Sequence, residues 1–358
     1  MEKLRVAVIG TGNISRAHLN AYRDNPNVEI YALCDISEER VKKAGEEYGV
    51  TRLFTDKDEM LKLKEIDAVS VTTWNSQHAP CTIAALNAGK HVICEKPMAT
   101  SVAEAIAMKE AAEKNGKILM IGFVRRFGQD MALIKDFHKA NNLGELYYAK
   151  ASYVRRNGFP GGWFGEKERS GGGPLVDLGV HIIDFVRYAM GNPKPVQAYG
   201  VTYQKLFDRK NLKARREYVA ASATENDIYN VEDMASALIK FDNGATLAIE
   251  TSFSLNASKD EGGIEIMGDK GGVRVEGPNI KITTEINDYF VEVTPVENYG
   301  DKKFKNMFAS EIDHFVDCAM NGTKCIATAE DGVAVMQILE SIYESAKQNT
   351  VIDIPPIA

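Results

Sequence analysis

The chain has 358 residues, more than one ordinary hydrophobic core accommodates, so two domains are expected. It is 44% hydrophobic and 26% charged with a formal net charge of -7, a globular composition that argues against nucleic acid, whose phosphates call for a clustered basic surface. No apolar run approaches the roughly 18 residues of a membrane span, and Met1-Glu2-Lys3 leads directly into a strand, so a cytoplasmic protein without a membrane role is expected.

Leu4 to Ile9 is a β-rich run, followed by Gly10-Thr11-Gly12-Asn13-Ile14-Ser15 and a segment of helical spacing through Tyr22. Strand, glycine turn and helix in that order make a phosphate cradle. Gly10 and Gly12 permit a tight turn and close backbone approach, and the N–H groups from Thr11 through Asn13 and Ile14 into the helix can hold a pyrophosphate. Ser15 replaces the third glycine of the dinucleotide fingerprint, and a small residue still fits there. The next strand, Val28 to Cys34, ends in Asp35, at the distance where an acid binds an adenosine ribose and repels the 2′-phosphate of NADP. The alternative is that Asp35 only opens the loop before a helix capped by Ser37. NAD is the expected cofactor, and NADP stays open because Arg40 can fold back to pair with a 2′-phosphate.

A short strand near Arg52 to Phe54, a helix capped by Asp56 with Glu59, and a strand from Ala68 to Thr72 follow. That strand runs into Thr73-Trp74-Asn75-Ser76-Gln77-His78, whose small and polar groups, with Thr72, can line a nicotinamide ribose; an ordinary helix entry is the compatible alternative. His91 to Cys94 has the length of a buried parallel strand and stops at Glu95-Lys96-Pro97, which delivers a charged pair to a strand's C-terminal end. Ser101 and Glu104 cap the next helix, and Lys117 to Gly122 supplies a sixth strand. Six strands alternating with helices over residues 1–123 specify a doubly wound parallel sheet, an NAD(P)-binding Rossmann domain.

Residues 124–358 read differently, as an α+β domain for substrate binding and oligomerisation. After a helix over Gln129 to Asn142 come long alternating runs: Glu145 to Arg155, Val196 to Phe207, Asp233 to Phe241, Thr246 to Leu255, Gly263 to Met267 and Ile280 to Glu285. Asp242-Asn243-Gly244 is a hairpin turn. A large, mainly antiparallel open sheet results, with helices on one side and the other left for a second copy of the chain, as a homodimer or homotetramer. Residues 208–230, with the locally basic Arg215-Arg216, read as a long loop, and two late helices span Phe304 to Met320 and Thr328 to Gln348.

Within the second part, Gly171-Gly172-Gly173-Pro174 precedes a helix with Asp177 and His181 four residues apart on one face. The glycines permit close approach by a ligand or another backbone. A fixed carboxylate beside an imidazole can orient it for proton transfer, against the alternative of a plain intrahelical hydrogen bond. The five cysteines, Cys34, Cys81, Cys94, Cys318 and Cys325, form no C-x-x-C pair and lie mostly in apolar strands or helices, so they read as buried free thiols with no metal site.

GTGNIS, Asp35, TTWNSQH, EKP at 95–97, GFVRRF and DLGVH, in that order, resemble the Gfo/Idh/MocA oxidoreductases, the group of glucose-fructose oxidoreductase and inositol dehydrogenases. The resemblance implies a Rossmann domain joined to an α/β domain whose sheet mediates dimers or tetramers. It assigns Lys96 as the catalytic lysine with Asp177 and His181, and puts Trp74, Asn75 and His78, like Glu95, at the cofactor. The implied activity is oxidation of a secondary hydroxyl of a sugar, cyclitol or related polyol; Arg126, Phe159 and Trp163 can offer it hydrogen bonds and a stacking face, with a core position as the alternative for Trp163. NAD-assisted glycoside cleavage and a non-catalytic cofactor and sugar sensor are the other classes open to this fold.

Overall fold

The computed structural model describes residues 3–356 except 207, 208, 210, 211, 213–217, 278 and 295–305. The expectations for Phe207, for Arg215-Arg216 with much of the 208–230 segment, and for Phe304 lie outside the described residues. The first elements are β1 (Leu4–Ile9), α1 (Ser15–Asp24), β2 (Val28–Cys34), α2 (Glu38–Tyr48), β3 (Leu53–Phe54), α3 (Lys57–Leu61), β4 (Ala68–Val71), α4 (His78–Asn87), β5 (His91–Glu95), α5 (Val102–Asn115) and β6 (Leu119–Gly122). Their strands pair in parallel in the order β3-β2-β1-β4-β5-β6. Central strands of such a sheet are covered on both faces and must be apolar on both. Accordingly Val6, Ala7 and Val8 in β1 and Val92, Ile93 and Cys94 in β5 are fully buried, each large aliphatic side chain contributing about 1.5–3 kcal/mol. Local chemistry sets the helix ends: Ser37, Asp56 and Ser101 accept backbone N–H bonds at the starts of α2, α3 and α5, and Gly49 and Gly116 close α2 and α5 in the left-handed region.

The chain continues through α6 (Gln129–Lys139), β7 (Leu146–Val154), α7 (Lys167–Ser170), α8 (Val180–Ala189), β8 (Pro195–Tyr203), β9 (Met234–Phe241), β10 (Thr246–Ser252), β11 (Glu261–Gly268), β12 (Gly271–Glu276), β13 (Asn279–Ile286), β14 (Tyr289–Val293), α9 (Met307–Asn321), α10 (Ala329–Gln348) and β15 (Ile352–Asp353). The strands form one mixed, mainly antiparallel sheet, β14-β13-β12-β11-β7-β10-β9-β8-β15, in which only β7 and β10 run parallel. Asn243 and Gly244 turn β9 into β10, with Gly244 at a φ of +87. Alternation separates the faces: Ala235, Ala237, Ile239, Leu247 and Ile249 are buried, while the cross-strand pair Tyr199 and Leu238 and the ion-paired Lys150, Glu265 and Arg274 stand on the opposite face. β12, β14 and β15 were not expected from the sequence, because glycines and charges obscure the alternation in the first two and β15 has only two residues.

The chain divides into two compact units, Met1–Val124 with Lys305–Met336, and Arg125–Phe304 with Gln337–Ala358. By proximity, α9 and the start of α10 cluster with the parallel sheet, where α9 packs on α1. No helix among the described residues is long and apolar enough to cross a membrane.

A buried polar network lies beneath the end of β5. His18 of α1 bonds the Glu95 carboxylate through Nε2 at 2.9 Å and the Ser70 hydroxyl through Nδ1 at 3.1 Å, and Tyr22 Oη meets the same hydroxyl at 2.7 Å. Glu311 of α9 brings its carboxylate within 4.8 Å of the Glu95 and His18 ligand atoms. Burial opposes ionisation of Glu95, but the His18 hydrogen bond and the nearby Lys96 ammonium outweigh it and hold the carboxyl below its ordinary value. A carboxylate whose folded pKa is depressed contributes stability that is fully present above its unfolded pKa and is lost as pH falls through the folded one. Glu95→Gln is therefore expected to lower stability most near neutral pH, with the difference from the parent closing below the unfolded value of 4.5, as read by chemical denaturation followed through Trp74 in a Trp163→Phe background. A difference that does not change with pH would show that ionised Glu95 contributes nothing.

Candidate active site

Gly10 follows β1 at a φ of +93, and a Cβ there would lie 2.7 Å from the Thr72 carbonyl oxygen, so only glycine lets the turn pass so close to the end of β4. A Cβ on Gly12 would meet nothing within 4 Å, which leaves that side of the turn open to a ligand. Ser15 donates to the Gly12 carbonyl at 2.6 Å, so the residue in place of the third glycine braces the turn. α1 begins with no side-chain cap and no acid in its first turn, so the positive end of its dipole favours an anion there. These features fit the pyrophosphate of NAD.

Asp35 is held beside the turn. Its Oδ2 accepts from the Thr11 N–H at 2.8 Å and the Thr11 hydroxyl at 3.1 Å, its Oδ1 accepts from the Ser37 N–H at 2.8 Å, and Arg40 Nε lies 3.5 Å away. A carboxylate has about four acceptor positions, so a ribose diol would share or replace the Thr11 hydroxyl. Arg40 pairs with Asp35 on a half-exposed side chain.

The side chains of several residues expected at the cofactor make hydrogen bonds within the protein. Thr72 donates to the Gly10 carbonyl at 2.6 Å, Glu95 is taken up by His18, and buried His78 spans the Pro97 and Thr73 carbonyls with Nδ1 at 2.7 Å and Nε2 at 3.2 Å. Burial pushes the His78 pKa down, so the ring is neutral and its single N–H belongs on the nearer contact, to Pro97. His78 thereby ties the loop after β4 to the turn after β5. Thr73 bonds the Trp74 carbonyl at 3.3 Å, Trp74 is half-buried and Asn75 is buried in a short 3-10 turn. Lys96, half-buried, leaves β5 with its N–H donated to Glu95 at 3.2 Å.

In the second unit, Asp177 lies in a π-helical turn, Leu175–Gly179, that feeds α8, and His181 is on the first turn of α8; both side chains are half-buried. A π turn inserts a residue into the helical ladder and is frequent at functional sites. The glycine run before it is explained by neighbours within the protein: a Cβ on Gly172 would lie 2.0 Å from Tyr343 Oη, and one on Gly173 would lie 2.4 Å from the Glu232 carbonyl oxygen. Buried Glu232 accepts the Gly173 N–H at 3.0 Å, the Leu175 N–H at 3.1 Å and the Tyr343 hydroxyl at 2.8 Å, fixing the start of the Asp177 turn. Burial nonetheless raises its carboxyl above the ordinary value. Sequence reasoning missed Glu232 and Tyr343, because nothing local links them to residues 171–175.

Arg126 is buried, its guanidinium pairs with the Asp184 carboxylate at 2.5–3.1 Å, and it lies over the Tyr188 ring at 4.5 Å, so these donors serve an internal ion pair. Phe159 packs edge-on against Tyr229 at 4.4 Å, and one face of Trp163 stacks on Phe164 at 4.0 Å. The described residues 218–230 lie along this segment, through Ala220 N–H to the Pro160 carbonyl, Gly162 N–H to Asp227 and Asn230 N–H to the Gly165 carbonyl. A separate groove of about 800 Å³ on the second unit's sheet, lined by Tyr147, Met267, Arg274 and Phe290 among others, includes none of the expected site residues.

Residues 4–123 match the model of an oxidoreductase family with an NAD-binding Rossmann fold, and residues 139–354 match the C-terminal alpha/beta domain of the same family. D-glucoside 3-dehydrogenase of Escherichia coli (strain K12) is 32% identical over 354 residues, which are 98% of this chain and 97% of that protein. Myo-inositol 2-dehydrogenase of Thermotoga maritima is 26% identical over 339 residues, 92% of each chain. The structure of aldose-aldose oxidoreductase from Caulobacter crescentus, complexed with glycerol, matches with a TM-score of 0.82 at 26% identity, covering 98% of this chain and 100% of that one. With both family domains present and full-length identity above 30% to a named dehydrogenase, the chain belongs to the Gfo/Idh/MocA family and is an NAD-dependent oxidoreductase acting on CH–OH groups.

Proposed function

We propose that the chain oxidises a secondary hydroxyl of a pyranose sugar or glycoside, with a cyclitol as the alternative substrate. The observation that carries this reading is the set of three groups suited to alcohol oxidation without a metal: Lys96 at the C-terminal end of β5, and Asp177 and His181 around a π turn. The 32% identity to a protein named D-glucoside 3-dehydrogenase favours a glucoside, and at its 3-hydroxyl.

NAD, when bound over Gly10 to Ile14 and Asp35, supplies the hydride acceptor. His181 takes the hydroxyl proton through its imidazole, the Lys96 ammonium stabilises the charge developing on the substrate oxygen, and the Asp177 carboxylate orients His181. Phe159 and Trp163 supply apolar surface to the sugar ring. Thr72, His78 and Glu95 act behind the cofactor, holding the strand ends.

A screen of glucosides, free sugars and inositols, followed by absorbance of the reduced cofactor, is expected to single out a glucoside. Sugar release without net NADH would instead indicate glycoside cleavage. On the best substrate, His181→Ala and Lys96→Ala should each lower turnover about 100-fold to 10,000-fold, Asp177→Asn less, with NADH binding by fluorescence little changed. Near-normal turnover of His181→Ala across pH would move the base elsewhere.

NAD is expected to give the higher kcat/KM, because a 2′-phosphate would meet the Asp35 carboxylate. Equal or better turnover with NADP would contradict that role for Asp35. A second copy is expected to cover the sheet face carrying Tyr199 and Leu238, making a dimer or tetramer; sedimentation as a monomer at micromolar concentration would rule this out.

A further inference from the structure

Away from the proposed chemistry, α9 and the loop after it gather three soft ligands. His314 and Cys318 stand four apart on α9, on one face of the helix, and Cys325 returns to them from the loop. One ligand atom from each of the three lies within 4.8 Å of the others, and Cys318 Sγ is 3.4 Å from His314 Nε2. Two ligands of one tetrahedral zinc, at about 2.3 Å for sulfur and 2.0 Å for nitrogen, lie roughly 3.5 Å apart. The observed separation is thus already that of a shared ion.

The loop is held on both sides of Cys325. Gly322 closes α9 at a φ of +71 with its N–H on the Cys318 carbonyl, and the Thr323 hydroxyl donates to Asp317 at 2.5 Å. Beyond Cys325, the Ala327 carbonyl accepts the Ile121 N–H of β6 at 3.0 Å, and Thr328 bridges Met120. Cys325 is therefore brought to α9 by backbone bonds that need no metal, so little conformational freedom is left to lose on binding. The histidine is in the right tautomer: the Ile326 N–H donates to Nε2 at 3.2 Å, which makes Nε2 the unprotonated nitrogen, and a bound ion would take that lone pair in place of the N–H. His314 and Cys325 are half-buried and Cys318 is buried, which gives the cluster a solvent side.

We propose that His314, Cys318 and Cys325 form a binding site for one thiophilic divalent cation of the zinc class, with Nε2 and two thiolates as protein ligands and solvent at the fourth position. Two thiolates and an imidazole match that class in softness and balance its charge. Binding replaces two S–H bonds with two metal–sulfur bonds and releases two protons to solvent. The ion would pin the end of α9 to the loop running beside β6, a structural role separate from hydride transfer.

The full chain, reduced with a phosphine and freed of metal by chelation, can be titrated with Co²⁺. One equivalent should produce thiolate-to-cobalt charge-transfer absorption with visible bands of tetrahedral intensity, and Zn²⁺ should abolish both. Cys325→Ser and His314→Ala should each weaken cobalt binding at least tenfold, and Cys81→Ala should not. In the unaltered chain, Zn²⁺ should protect Cys318 and Cys325 from alkylation as mapped by mass spectrometry, an outcome that needs no variant to fold. Absence of the bands at one equivalent, their survival in Cys325→Ser, or equal alkylation with and without Zn²⁺ would overturn the site.

Discussion

The register of three parallel strands governs the first unit. Ile9 pairs with Val71 and Val71 with Cys94, so the residues one step beyond, Gly10, Thr72 and Glu95, emerge side by side at the C-terminal edge of β1, β4 and β5. Open α/β sheets bind ligands at this edge because the strand order reverses there and the crossing helices leave a crevice. Much of the expected cofactor site hangs from that row, with Asp35 added from the end of β2. Thr72 closes on the Gly10 turn, Glu95 anchors downward into His18, and Lys96 follows Glu95 by one residue. Slipping one strand by a residue would invert which side chains face the core and separate the three.

Two families of polar groups do different work within the two units. One family is expected to meet ligands: buried Asp35 and the half-buried Lys96, Asp177 and His181. The other is buried and satisfied within the protein, such as Glu95 with His18, Glu232 with two backbone N–H groups and Tyr343, and Arg126 with Asp184. Desolvating a charge costs several kcal/mol unless hydrogen bonds replace the lost water, so buried charges appear only where such partners converge. Each of these three sits within a few residues of an expected ligand contact and fixes the backbone that presents it. The π turn at Asp177 begins on N–H groups that Glu232 holds, which makes Glu232 a positioning residue despite its distance in sequence.

The sequence by itself determined the parallel sheet, the glycine turn and the family. Each rests on short-range physics: continuous apolar runs for strands covered on both faces, glycine where φ is positive, capping residues one turn before a helix, and motifs of a few contiguous residues. It also determined the main antiparallel strands, because period-two alternation survives in β7, β9 and β10. The same local logic does not reach what depends on distant partners. Gly172 and Gly173 leave space for Tyr343 and Glu232, some 60 to 170 residues further on, and Arg126 spends its donors on Asp184. His78 faces two carbonyls, and α9 clusters with the first unit. The cysteines read in sequence as buried thiols, and only the return of the loop to β6 brought Cys325 to His314 and Cys318. Sequence spacing fixes direction along one element; which charge meets which, and whether a polar side chain faces water or the interior, is decided by chain segments that become neighbours only on folding.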